Sequence, residues 1–353
     1  MAVVINGSGE ISGISVGGLP DGIVDAGTLA TNSVDSAELI DGSVDDSHMA
    51  SISGRKNFII NGGMDVWQRG TSGTSASWAY NAADRWKTSL RDGAGTISQH
   101  TLNDDLQPFS YALKVAVTTQ ASTAPVVQQY VEDSRKFRNQ MMTYSFYAKA
   151  SKAITVSTKF DLIWANSDNN TTSENHSITT SWQRFTYSIN TGSPSGSYNT
   201  VDHFLPRIEL PTTDTYDFYI TGCQLEYGST ATEFEHRSYG EELALCQRYY
   251  EKSYSQTEYA GTATSLHFGF RHYGSTANPI FATGAYTVEK RVSPTFTPYD
   301  SAGNSGKINI HDNVTDPNNQ SYNLEFAGVK SFTVRPTTST NGFRFAWVAD
   351  AEL

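Results

Sequence analysis

The sequence predicts an all-β chain: a fibrous N-terminal stalk, a jelly-roll β-sandwich ending in one short helix, and a smaller distal β-sandwich. Three observations predict it. Charged residues make up only 17% of the 353 residues, against about 25% in an ordinary soluble domain. Thr, Ser, Asn and Gly fill their places, which suits short strands joined by polar turns and leaves little for long amphipathic helices. Apolar side chains alternate with period two in successive runs between Leu113 and Trp347, the pattern of half-buried strands. Ahead of them, residues 21–50 form a ten-residue repeat.

The repeat reads DGIVDAGTLA, TNSVDSAELI, DGSVDDSHMA. Val24, Val34 and Val44 fall in register, as do Leu29, Leu39 and Met49. Fixing one backbone residue costs about 1–2 kcal/mol, and burying a Val or Leu returns about 1.5–3 kcal/mol. Two large apolar side chains therefore cannot order ten residues of a single chain. The regular period points to burial against the same positions in other copies, so these six residues are the predicted inter-chain contacts of the stalk. Residues 1–50 hold eight carboxylates and no Lys or Arg, so they carry −8 of the net charge of −11. A stretch this one-sided is either a solvated surface or meets a basic partner. Within it, Gly13-Ile14-Ser15-Val16-Gly17 matches G-x-S-x-G; with Gly and Ser on both sides it lacks the strand and helix that strain a nucleophilic serine outward.

The first sandwich is expected over residues 55–252. Leu113, Val115 and Val117 form one strand face, and Tyr144, Phe146 and Ala148 another. A longer run covers Ile154 to Leu162, followed by Phe185, Tyr187 and Ile189, then Tyr216, Phe218 and Ile220. Turn clusters such as 167–170 and 191–194 separate them, so the strands read as antiparallel. Ser238-Tyr239-Gly240-Glu241 is a capping box, and the helix after it is expected to bury Leu243, Cys246 and Tyr250. A boundary is placed near Lys252. In residues 253–353, pairs such as Leu266 with Phe268, Tyr286 with Val288, Ile308 with Ile310 and Leu324 with Phe326 predict short strands. Phe343, Phe345 and Trp347 read as core or subunit interface, and the terminal Ala349–Leu353 as a segment that frays or docks on a neighbour.

Several classes are excluded or disfavoured. No basic footprint for nucleic acid is present, no run of about 18 apolar residues spans a membrane, and no basic-then-apolar secretory leader opens the chain. Cys223 and Cys246 are the two cysteines; they make neither a disulfide framework nor a zinc site and read as buried thiols.

YNAADRW at 80–86, the stretch from Phe218 to Ser253 and the terminal WVADAEL resemble tail-fibre proteins of bacteriophages, of the type found in phages of aquatic bacteria, including cyanophages. The ten-residue repeats after GGLPDG are similar to the shafts of such fibres. The resemblance implies a virion protein made in the host cytoplasm and assembled as a homotrimer. Residues 1–20 would be a virion-attachment segment meeting a baseplate or tail protein, 21–54 the shaft, 55–252 a carbohydrate-binding-like jelly roll, and 253–353 the tip. The expected function is non-enzymatic attachment to a host surface receptor, a glycan or a protein. The alternatives are a structural baseplate or head-fibre component and a glycan-degrading fibre.

No catalytic residues are expected, because no carboxylate pair or His cluster stands out by spacing. No cofactor is expected; the Asp- and Asn-rich loops 166–170 and 312–318 offer oxygen ligands for a structural Ca²⁺ but lack EF-hand spacing. A glycan site needs an aromatic face beside hydrogen-bonding side chains. The candidates by that criterion are Trp164 with Asn166 and Asp168; Tyr259, Arg271, His272, Tyr273 and Asn278; Tyr299 with Asp300; and His311 with Asp312 and Asn313.

Overall fold

The structure, a computed structural model, describes residues 4–5, 11–12 and 55–353, excepting 75–77, 79, 81–82, 165–166, 171–172, 194–196, 200–201, 264–269, 274–279, 312–316 and 339. The chain divides into two units, Met1–Gly54 and Arg55–Leu353. In the first, β1 (Val4–Ile5) pairs antiparallel with β2 (Ile11–Ser12). The predicted contacts Val24, Leu29, Val34, Leu39, Val44 and Met49 lie outside the described residues.

Among its described residues the second unit is an all-β assembly with two large cores and a small cluster around Phe109. Its first strands are β3 (Ser72–Thr74), β4 (Lys87–Ser89), β5 (Ala94–Thr101), β6 (Tyr111–Thr119), β7 (Val126–Gln128), β8 (Val131–Glu132), β9 (Met141–Ala150) and β10 (Ile154–Trp164). They are followed by β11 (Ser167–Asn170), β12 (Glu174–Ile178), β13 (Gln183–Asn190), β14 (His203–Glu209) and β15 (Tyr216–Tyr227). Among the described residues these make two antiparallel sheets. One runs β13-β9-β15-β6-β5-β3, and the other runs β11-β10-β14-β7-β4, with β12 on β10 and β8 on β14. The inward side chains are those the alternation selects: Leu113, Val115, Val117, Tyr144, Phe146, Ala148, Val156, Phe160, Leu162, Tyr187, Phe218 and Ile220 all enter the core. Cys223 joins them, and burial pushes its thiol up to about 12.

After β15 the chain crosses to α1 (Tyr239–Gln247), where the Ser238 side chain accepts the Glu241 N–H as the capping box predicts. The buried face differs from the expected one. Glu242 and Cys246 are buried, Leu243 is half-buried, and Tyr250 has left the helix for β16 (Tyr250–Lys252). A charged side chain is retained inside because Glu242 accepts the Asn61 N–H at 2.5 Å and faces the Arg237 guanidinium at 3.3 Å.

Strands β17 (Phe270–Tyr273), β18 (Ala282–Ala285), β19 (Thr295–Tyr299), β20 (Asn309–His311), β21 (Tyr322–Ala327), β22 (Ser331–Pro336) and β23 (Gly342–Asp350) complete the unit. β23 is the hub, pairing with β16, β17, β19 and β20, and β18-β22-β21 forms the facing sheet. Phe343, Phe345 and Trp347 lie in the core between them. Two expectations change here. The strand expected at Tyr286 and Val288 ends at Ala285; Tyr286 turns into the core instead, and its N–H bonds the Lys330 carbonyl. Leu324 and Phe326 are on a strand but exposed; a bulge between them sets Leu324 opposite Val334 and Phe326 opposite Thr333 of β22.

The segments that carried the family resemblance meet at a charged seam. Arg85 of the YNAADRW segment pairs with Glu352, and its guanidinium lies 3.4 Å from the Tyr249 ring centroid. Arg69 sits 3.3 Å from both Glu352 and Asp350 and 3.7 Å from the Tyr250 ring centroid. Tyr80 donates to the Leu353 carbonyl at 3.0 Å, and the Ala351 N–H donates to the Tyr249 carbonyl at 2.7 Å. The terminal residues close onto the chain's own first sandwich, where their charges find buried partners.

Candidate aromatic cleft

Residues 57–71 have no regular structure, and their path is set by side-chain bonds to backbone. Asn61 (φ 58°) accepts the Val66 N–H at 3.0 Å and donates to the carbonyls of Val66 at 2.9 Å and Asp84 at 3.0 Å. Gly62 lies against the Cys223 backbone, where a Cβ would collide with the carbonyl oxygen. This close docking turns Asp65 and Trp67 to one side, and the Trp67 indole N–H donates to the Met64 carbonyl at 2.5 Å.

Those two residues form one wall of a cleft of about 650 Å³. Gln99 of β5, Thr71, and Pro108, Ser110 and Tyr111 at the start of β6 add to it. His236, Arg237 and Tyr239 lead into α1, and Gln256, Thr257 and Tyr259 follow β16. Lys252 holds this last wall: its ammonium donates to the carbonyls of Gln256 and Glu258 and lies 5.6 Å from the Tyr259 ring centroid. Burial lowers its pKa to about 8. Tyr259 also reaches across to Thr71, with 3.4 Å between the two hydroxyl oxygens.

The rings in the cleft are of two kinds. Trp67 is 7% exposed and Tyr111 is half-buried, whereas Tyr239 is 50% and Tyr259 36% exposed, so part of each of the last two side chains is open to an apolar surface. Between them stand polar groups of differing commitment. Arg237 is engaged through its Nη atoms, donating to the carbonyls of Asn57 and Ile59 and to Glu242. The His236 ring packs 4.7 Å from Phe234 and 5.3 Å from Phe109, and burial lowers its pKa. Asp65 has neither a hydrogen-bond nor an ion-pair partner among the described residues, and its pKa is raised to about 6, first by burial and then by the charge of Glu242. The charge of Asp65 in turn helps to raise the phenol of Tyr239, after burial and the larger effects of Asp84 and Cys246, so these groups sense one another across the cleft.

The sequence-predicted candidates distribute differently. Among the described residues, Tyr259 alone of them lines the cleft. Trp164 ends β10 as expected but is 6% exposed, packed 5.8 Å from Tyr198 and 5.5 Å from the Arg138 guanidinium. Asp168 lies on β11, whose backbone alone is described; Asn166, Asn278, Asp312 and Asn313 lie outside the described residues. Arg271, His272 and Tyr273 are on β17, paired with Arg344, Phe343 and Gly342. His311 is on β20, its carbonyl bonded by Thr340 at 2.6 Å. Tyr299 packs 6.2 Å from Tyr254. Asp300 is buried and organises a turn, accepting the N–H groups of Ala302 and Asn304 at 2.9 Å and of Asn319 at 2.6 Å. Among the described residues no group of three or more His, Cys, Asp or Glu is placed to hold a metal ion. Asp65, Trp67, Gln99, Tyr111 and Tyr239 were missed, since they converge from distant segments. The signal for Trp67 was present in Asp65-Val66-Trp67, a polar–apolar–aromatic triplet inside a Gly-rich stretch.

No protein-family model matches the chain, and no curated protein matches it. Among solved structures it is similar to a CBM4 structure, at 14% identity and a TM-score of 0.32 over 48% of this chain and 98% of that one. It is similar at 11% identity and a TM-score of 0.30 to a family 11 carbohydrate-binding module from Clostridium thermocellum in complex with a β-1,3-1,4-mixed-linked tetrasaccharide, covering 47% of this chain and 98% of that one. A third is the enzymatically active domain of bacteriophage CBA120 tailspike protein 4, at 14% identity and a TM-score of 0.32, covering 49% of this chain and 21% of that one.

Proposed function

We propose that the protein is a non-enzymatic glycan-binding adhesin, a bacteriophage tail fibre that recognises a host surface glycan in the cleft between Trp67, Tyr239 and Tyr259. One observation carries the reading: a 650 Å³ cleft presents two open tyrosine rings beside Asp65, Gln99, Gln256 and Thr257. Sugars expose flat C–H faces ringed by hydroxyls, so they need this pairing of aromatic face and convergent polar groups. The virion role is supported by the resemblance of the seam-forming segments to tail-fibre proteins. The acidic ten-residue repeat supports a homotrimeric shaft, because its apolar positions need partners from other copies.

The test is a glycan array probed with the full chain and with Tyr239→Ala/Tyr259→Ala. A glycan signal lost in the double variant is the expected result; a signal that survives would move the site elsewhere. Purified protein is expected to block phage attachment to host cells and to leave host polysaccharide at its original length. Failure to block removes the receptor role, and shortened polymer replaces adhesion with degradation.

A further inference from the structure

The glycan reading leaves the class of sugar open, and the charges of the cleft narrow it. Among the described residues around the cleft, Glu242, Arg237 and Lys252 have partners and Asp65 has none. Glu242 of α1 is held by Arg237 and the Asn61 N–H, the two Nη atoms of Arg237 bond Glu242 and two carbonyls, and Lys252 is bonded to the Gln256 and Glu258 carbonyls. Asp65 is left, half-buried, beside the aromatic side chains of Trp67, Tyr111, Tyr239 and Tyr259. An unpaired carboxylate among ring faces is poorly matched to a neutral sugar and opposes an acidic one. It matches a cation, which gains an ion pair from Asp65 and the negative face of the rings at once.

We propose, resting on the glycan-binding reading above, that the cleft selects an amino sugar with a free, protonated amine, seated between Asp65 and the rings of Tyr239 and Tyr259. The ammonium supplies the counter-charge that the protein withholds from Asp65. N-acetylation would remove both the charge and the match.

The experiment measures binding of the full chain to a glucosamine hexamer, its fully N-acetylated counterpart and a glucose hexamer of the same linkage. The glucosamine hexamer is expected to bind on the order of tenfold tighter than either, a difference of ~1.4 kcal/mol. Asp65→Asn is expected to abolish the preference while retaining the weaker binding. Lowering the pH from 7 to 5 protonates Asp65, whose pKa is about 6, so affinity for the amine falls; His236→Gln removes the other titrating wall group and keeps that fall. Equal binding of all three oligomers, or a preference that survives Asp65→Asn, overturns the amino-sugar assignment and leaves glycan binding intact. Absence of binding to every glycan on the array removes the glycan reading itself.

Discussion

Asp84 and Asp65 belong to adjacent regions and share a pKa of about 6, raised in both cases first by burial. Their surroundings separate them. Asp84, behind the charged seam, accepts the Gln68 N–H at 2.9 Å and its side-chain amide at 2.5 Å, and the nearby Arg69 charge lowers its pKa against the burial. Asp65, on the cleft, has no such partner, and the second influence on it, Glu242, raises its pKa further. The seam pairs its charges between two sandwiches; the cleft keeps one carboxylate unmatched.

The sharpest way to break this contrast is Glu352→Ala. It leaves Arg85 and Arg69 buried without that shared carboxylate, at an expected cost of about 3–5 kcal/mol, read as a lowered urea midpoint. A loss below 1 kcal/mol would mean that the seam does not hold the unit together. Glu242→Gln tests the cleft from behind. It should cost about 1–3 kcal/mol through the lost charge partner of Arg237 and move the Asp65 pKa down toward the usual carboxylate range, followed by NMR titration.

Asp65→Asn should act in the opposite direction. Because the folded-state pKa is raised, the native carboxyl holds its proton after the unfolded chain has released one. Asp65 therefore favours folding below the ordinary carboxylate range, and that advantage is lost as pH rises through about 6. At pH 7 the variant should be more stable than the wild type by about 1 kcal/mol, discounted for partial exposure, with no gain at pH 4. Urea melts at both values check the sign. The smallest effect is expected at Tyr239→Ala: with a ring 50% exposed, stability should stay within about 0.5 kcal/mol while glycan binding is lost. A large destabilisation would make Tyr239 part of the scaffold.

Much of the fold was legible in the sequence. Period-two alternation is a local consequence of strand geometry, so Leu113–Val117, Tyr144–Ala148 and Phe343–Trp347 declared their inward faces without knowledge of any partner strand. The capping box at Ser238 was legible for the same reason, being closed within four residues. The helix face was not: Glu242 is inward only because Asn61 and Arg237, remote from one another in sequence, supply its partners. Leu324 and Phe326 fit a strand pattern, but whether such a face is covered depends on the neighbouring layer and on a bulge.

The sequence by itself determined that the chain is built of strands, which side chains of its clearest alternating runs turn inward, and where one helix begins, because hydrophobic period and capping act over a few residues. Only the tertiary structure decided that the last residues lock onto Arg85 and Arg69. It alone brought Trp67, Tyr111, Tyr239 and Tyr259 around one unpaired carboxylate. These arrangements depend on which distant groups are left to satisfy each buried charge, and the chain's local pattern does not encode that.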